Sequence, residues 1–173
     1  MKTRFVKSFL FLLAFILIAG LIATMSNAGT NEMSGKATMT YTKKEVVPIG
    51  DIEGHIIMLG VSSGLNSNTG NLDFMDGGTA TTRSTADLTK GNGPQAGYFT
   101  LSKDGNETVA KYNGTIKTVL SQDKQPITSF SGEWKYIKCT GKYEGCSGEG
   151  TYKGHFISEN DYIVEYKGTL IQQ

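Results

Sequence analysis

The chain has 173 residues, with 17 Lys and Arg against 16 Asp and Glu and a formal net charge of +1. That balance excludes the strongly basic face that nucleic-acid binding requires. Two cysteines and one tryptophan stand among 22 glycines.

Taken in chain order, residues 1–28 read as a secretory signal. Lys2, Arg4 and Lys7 form a basic start. Phe9 to Ala23 is apolar apart from Gly20, and Ser26-Asn27-Ala28 offers small residues at a cleavage site. The apolar run is shorter than the roughly 17–25 residues that span hydrocarbon, so cleavage after Ala28 is expected rather than an uncleaved anchor. No cysteine follows the run, which argues against a lipid anchor. The expectation is a secreted or periplasmic product, residues 29–173, that folds as a single domain with its own core. It would have no stable membrane span after cleavage and no nucleic-acid partner. Cleavage removes three of the 17 basic residues and none of the 16 acidic ones, leaving a net charge of about −2.

Beyond residue 28 no stretch repeats apolar residues at helical spacing. Period-two alternation recurs instead, broken by turn residues. Gly64 to Gly70 and Lys90 to Gly93 read as longer loops. Within the first, Asn66-x-Asn68-x-Gly70-Asn71-x-Asp73 has the spacing of a calcium loop but no charge on its early ligands, so a polar turn is expected there. Lys103-Asp104-Gly105-Asn106 carries the Asp-Gly pair of a tight hairpin.

From Glu107 to Leu120 one parity holds Ala110, Tyr112, Ile116 and Leu120, and the other holds Glu107, Lys111, Asn113 and Lys117. Phe130, Trp134 and Tyr136 then alternate with Glu133 and Lys135. Tyr152 and Phe156 oppose Glu149, Thr151 and Lys153. Ser158 to Asp161 is a short polar turn, and Tyr162, Val164, Tyr166 and Leu170 oppose Glu165 and Lys167. Counted from Ser34, the pattern predicts an all-β chain of roughly eight antiparallel strands over about residues 33–172. Strands in that number lose their exposed edges only by closing, and a closed barrel of eight holds either packed side chains or one small ligand. The inward parity is rich in aromatic rings. Both readings therefore stay open: a filled core, or a ligand cavity lined by Tyr112, Trp134, Tyr136, Tyr152 and Tyr166.

Export also bears on the cysteines. In an oxidising compartment Cys139 and Cys146 are expected to pair, since two thiols leave none over. Six residues separate them, which disfavours a Cys-x-x-Cys redox motif.

Other candidate chemistry is sparse. His55 and His155 are the two histidines, too few for a metal site without further ligands, and no metal or cofactor is expected. A Cys–His nucleophilic pair would be silenced by the disulfide. Gly148-x-Gly150 lacks the spacing of a dinucleotide fingerprint. Asn106-Glu107-Thr108 and Asn113-Gly114-Thr115 are glycosylation sequons. Glu45, Asp51, Glu53 and Asp76 fall near strand ends, where exposure is the expected state. One of them turned inward would gain a raised pKa and could act as a general acid or base.

The stretch from Cys139 to Gly148, CTGKYEGCSG, resembles a segment of the allene oxide cyclase barrel family, and dirigent proteins have a related glycine-led turn. Ala96 to Thr100, Asp104-Gly105 and Lys111 to Gly114 resemble the preceding hairpin. Asp161 to Gly168 resembles the closing strand. Val47 to His55 is similar to a segment of bacterial members without an assigned activity. The resemblance covers most of the chain beyond the signal. It implies a closed, calycin-like, eight-stranded barrel with an apolar interior and the two cysteines in small-residue positions of the turn. The family's cyclase uses an inward acid and an asparagine on its first strand. Lys36 to Glu45 shows no match to that pair, so no catalytic residue is carried over. Two functions follow as expectations: binding of a small apolar or amphipathic molecule, or cyclase or isomerase activity on a lipid-like or polycyclic substrate. Whether the protein is an enzyme stays open, and so does its oligomeric state, a homo-oligomer included.

Overall fold

The computed structural model describes residues 29–172, and the expected signal segment lies outside the described residues. Eight strands follow in order: β1 (Gly29–Pro48), β2 (His55–Asn68), β3 (Thr79–Thr89), β4 (Gly93–Lys103), β5 (Asn106–Leu120), β6 (Pro126–Thr140), β7 (Glu149–Phe156) and β8 (Asp161–Gln172). One turn of 3-10 helix, Gly141–Tyr143, sits between β6 and β7. Each strand pairs antiparallel with the next. β1 also pairs with β8, from Gly29↔Gln172 to Thr40↔Asp161, so the sheet closes into a barrel. Closure leaves every backbone row a partner through the middle of the barrel. The all-β, eight-stranded expectation is met, although the first strand begins at Gly29 rather than near Ser34.

The alternation read from the sequence sets which side chains enter the barrel. Ala110 and Ile116 on β5 are buried while Lys111, Asn113 and Lys117 are exposed. Phe130 and Trp134 on β6 are buried against exposed Glu133 and Lys135. Tyr162, Val164, Tyr166 and Leu170 on β8 are buried, with Glu165 and Lys167 outside. Two irregularities shift this parity. Thr42 is skipped in the β1–β2 register and Ile137 in the β5–β6 register, the extra-residue pattern of a β-bulge.

Turn chemistry is partly as expected. Asp104 and Gly105 both have positive φ, 51° and 75°, as a two-residue hairpin turn of primed type requires. The other two turn readings need correction. Lys90 and Gly91 have φ of 50° and 75° and connect Thr89 to Asn92 directly, so this is another tight turn and not a long loop. β2 continues through Gly64 as far as Asn68, because Gly64 pairs with both Met39 and Ala80. Neighbouring strands on both sides override the turn preference of its glycine and asparagines.

The two ends of the barrel differ. At one end the segments 69–78 and 141–148 fold across the opening, burying Phe74, Met75 and Tyr143. The Phe74 ring lies 5.0 Å from Tyr143 and 6.2 Å from Tyr136, centroid to centroid. At the other end the connections 49–54, 90–92, 121–125 and 157–160 hold no buried residue. The barrel is plugged at one end and open at the other.

Candidate functional site

The barrel interior is built on a cross-strand rule that pairs an aromatic ring with a glycine. Tyr112 stands opposite Gly97, Phe130 opposite Gly154, Trp134 opposite Gly150, Tyr152 opposite Gly132, and Tyr166 opposite Gly35. In each pair the ring occupies the space that a Cβ on the glycine would need. The glycines therefore give each ring room to lie close against its own wall, a known use of glycine in strands, while Phe99 on β4 still reaches Tyr166 on β8, the opposite strand of the ring, at 6.0 Å. Neighbouring rings pack obliquely: Trp134 and Tyr136 are 4.9 Å apart, Tyr112 and Tyr152 5.4 Å.

What remains between the rings is a cavity of about 70 Å³. Its wall includes Tyr112, Trp134, Tyr136, Tyr152 and Tyr166, the five residues singled out from the sequence, brought together from four strands. Tyr41, Phe99, Phe130, Phe156 and Tyr162 add further rings, and none of the lining residues is exposed. Sequence reasoning left Tyr41, Phe99, Gln95, Ser84 and Thr82 out of the site. They lie on β1 to β4, where small residues and threonines blur the alternation. A larger hollow of about 490 Å³ lies on the outer wall, lined by mostly exposed side chains of outward parity such as Thr115, Lys117, Lys153 and His155. It is a saddle in the sheet surface, and the enclosed interior is the better candidate.

The cavity wall carries hydroxyls and one amide, but no carboxylate or imidazole. Each buried polar tip finds a neighbour, as burial demands. Gln95 Nε2 donates to Tyr152 Oη at 3.1 Å, and Thr82 Oγ1 lies 3.1 Å from Tyr162 Oη. Tyr166 Oη donates to Asn66 Oδ1 at 2.7 Å. The Trp134 indole donates to the Thr151 carbonyl at 3.2 Å. Among the described residues Ser62 Oγ on β2 and Tyr143 Oη in the plug are the exceptions, buried and without a partner.

Burial dominates the electrostatics. It pushes the Tyr41 and Tyr152 phenols up to about 12, with the neighbouring Tyr162 adding to the effect at Tyr41 and the Gln95 hydrogen bond opposing it at Tyr152. Tyr112, Tyr136, Tyr162 and Tyr166 are also raised, again chiefly by desolvation. All six phenols are held neutral at physiological pH.

Asn66 anchors the plugged end. It is fully buried and points into the barrel, where its Nδ2 donates to the Met75 carbonyl at 3.0 Å while its Oδ1 accepts from Tyr166. The segment expected to be a polar turn thus begins inside the barrel wall. Among the described residues no group of three or more His, Cys, Asp or Glu is placed to hold a metal ion.

The remaining candidates lie outside the cavity. Cys139 and Cys146 are joined, with Cα atoms 5.7 Å apart, across the turn that carries Tyr143. Glu45, Asp51, Glu53 and Asp76 are all exposed. His55, at the open end, sits between two carboxylates: its Nδ1 is 2.5 Å from Asp51 Oδ1 and its Nε2 is 2.8 Å from Asp87 Oδ1. The hydrogen bond to Asp51, followed by that to Asp87, holds the imidazolium form, raising the His55 pKa above its ordinary 6.5 and lowering that of Asp51. His155 faces outward from β7.

No protein-family model matches the chain, and no curated protein matches it. Among solved structures, it is similar to two pterocarpan synthase dirigent proteins. The likeness to GePTS1 has a TM-score of 0.49 at 12% identity, covering 84% of this chain and 86% of that one. PsPTS1 gives a TM-score of 0.44 at 13% identity, covering 85% and 96%. Similarity at this level carries no residue role or activity across.

Proposed function

We propose that this is an exported binding protein that holds a small uncharged molecule, such as a short-chain alcohol or the end of an alkyl chain, inside the barrel. One observation carries the reading: the cavity wall is aromatic, open at one end, and free of carboxylate and imidazole. Rings supply apolar area, and the few polar tips of Gln95, Thr82 and Ser84 supply orientation, the usual make-up of a ligand site. The size limits the ligand. A cavity of about 70 Å³ falls well below the roughly 300–1,000 Å³ of sites for drug-sized molecules. A cyclase or isomerase reading finds less support. Proton transfer works best with a pKa near the working pH, and the lining phenols are pushed away from it.

Trp134 is the sole tryptophan and lies on the cavity wall, so its fluorescence reports occupancy. Titration with 1-propanol should shift and quench Trp134 emission to saturation and leave the added molecule chemically unchanged. The Ala110→Phe variant, which fills the cavity, should lose that response while keeping the β-sheet circular dichroism spectrum. Absence of a saturable response in the parent protein would reject the binding reading. Conversion of the added molecule would favour the isomerase.

A further inference from the structure

The cavity wall has one corner where hydroxyls converge. Gly60 on β2, Ser84 on β3 and Gly97 on β4 are direct cross-strand partners and form a row across the inner wall. Only the middle position of that row carries a side chain. The two flanking glycines make room for phenols arriving from either side. The Tyr41 ring lies over Gly60, where a Cβ would stand 2.6 Å from it, and the Tyr112 hydroxyl lies over Gly97, 2.8 Å from the corresponding position. Ser84 Oγ is itself 2.9 Å from the Cβ position of Gly60. Two phenols from β1 and β5 therefore reach toward one serine, and all three side chains line the cavity.

The protein leaves these hydroxyls lightly used. Tyr152, Tyr162, Tyr166 and Tyr136 each have a partner of their own in Gln95, Thr82, Asn66 and Met33. Tyr41 and Tyr112 share the Ser84 hydroxyl, whose own proton is directed to the Gly60 carbonyl at a long 3.4 Å. Burial keeps both phenols protonated, so each brings an O–H donor. A phenol oxygen is a poor acceptor, because its lone pair is drawn into the ring. The corner is rich in donors and short of acceptors, and a hydrogen bond made there gains strength from the low local dielectric.

We propose that Tyr41, Tyr112 and Ser84 form the polar subsite of the cavity and bind the oxygen of a small ketone or aldehyde, an assignment that rests on the ligand reading above. A carbonyl oxygen has two lone pairs and no proton, so it takes one bond from each phenol. An alcohol brings a further proton to a place with few acceptors and fits less well. A carboxylate would lose its hydration with no cation in the cavity wall to replace it. The carbon end of the guest is left to the apolar remainder of the wall, which includes Leu101, Ala110 and Val164.

Acetone labelled with carbon-13 at the carbonyl is the probe, and it has the heavy-atom count of 1-propanol. Isobutene has the same shape with a methylene group in place of the oxygen, and it cannot accept a hydrogen bond. NMR titration of residues 29–173, which contain all eight strands, should show saturable acetone binding. Tyr41→Phe and Tyr112→Phe should each weaken it about fivefold to tenfold and leave isobutene binding unchanged. The bound carbonyl carbon should also move upfield in both variants, as a carbonyl does on losing hydrogen-bond donors. Both variants keep the rings that pack on Phe156 and Tyr152, and circular dichroism checks that they fold. Tyr98→Phe, on the outer wall at 46% exposure, should change neither affinity. Equal losses for acetone and isobutene, or unchanged acetone affinity in both phenol variants, overturn the proposal. A saturating Trp134 response to 1-propanol in the same parent protein would then leave the ligand reading standing. If neither acetone nor 1-propanol binds the parent, both fall.

Discussion

The Tyr152 ring on β7 lies over Gly132, its direct partner on β6, with its hydroxyl where a Gly132 Cβ would stand. The same side chain receives a hydrogen bond from Gln95 and packs edge-on against Tyr112. One missing side chain on β6 therefore sets the position of a ring that helps shape the cavity.

Gly132→Ala tests this directly. The added methyl group would collide with the Tyr152 phenol and with the Asn113 carbonyl. Overpacking of this kind costs about 1–3 kcal/mol. Thermal unfolding should show a midpoint lowered by roughly 3–10 °C, and the Trp134 response to 1-propanol should weaken as Tyr152 is pushed into the cavity.

Asn66 joins Tyr166 to the plug through Met75. Asn66→Ala leaves the buried Tyr166 phenol without its partner, an unmade bond that costs about 1–3 kcal/mol, and strips the Met75 carbonyl of one of its two donors, the Gly78 amide remaining. Limited proteolysis should then cut within residues 69–78, which the parent protein protects. Tyr166→Phe removes one of the two bonds and keeps the plug anchored, so it should be less sensitive to protease.

The disulfide closes a short loop, for which the chain-entropy estimate gives about 2–3 kcal/mol. Replacing both Cys139 and Cys146 by Ser should lower the denaturant midpoint by a corresponding amount. Mass spectrometry should show the parent gaining two hydrogens on reduction. An unchanged midpoint would mean that packing of Tyr143 alone holds the turn.

His55 predicts a stability maximum on the acid side of neutrality. Its raised folded pKa means that its contribution is complete below its ordinary value of 6.5 and is lost as the pH rises through the higher folded value. The lowered pKa of Asp51 works the opposite way. Its contribution holds above the ordinary 3.8 and is lost as the pH falls through the lower folded value. Melting temperatures of the parent and of His55→Gln, taken from about pH 4 to pH 9, should differ most between those two ordinary values and converge in alkali.

The buried phenols govern the alkaline limb. Unfolded tyrosines ionise near pH 10, whereas Tyr41 and Tyr152 in the barrel are pushed up to about 12 and four others are raised. Above pH 10 the unfolded chain therefore releases protons that the folded one keeps, and stability falls. Phenolate absorbance of these six residues should appear together with loss of the near-ultraviolet dichroism signal, and not before it.

Legibility in the sequence followed the alternation. On β5 to β8 large rings face charged residues with little ambiguity, and the inward set from Ala110 to Leu170 could be read directly. On β2 and β3 the inward residues include Gly60, Ser62, Ala80 and Thr82, which carry no hydrophobic contrast with their neighbours. The partners of the rings were therefore missed even where the rings were found. Five of the glycines leave room for rings on the inner wall, a role that no motif in the sequence marks. The plug was invisible for a different reason: Phe74 and Met75 lie in a non-repeating segment, and hydrogen bonds from Asn66 and Asn68 fix where they go.

If the barrel holds a ligand as proposed, Phe74, Met75 and Tyr143 close its floor and leave the opposite end as the way in. The end of an elongated guest that enters first would then leave last. Tyr41 and Phe156, whose rings stack 6.2 Å apart on that side, would be the first rings such a guest meets.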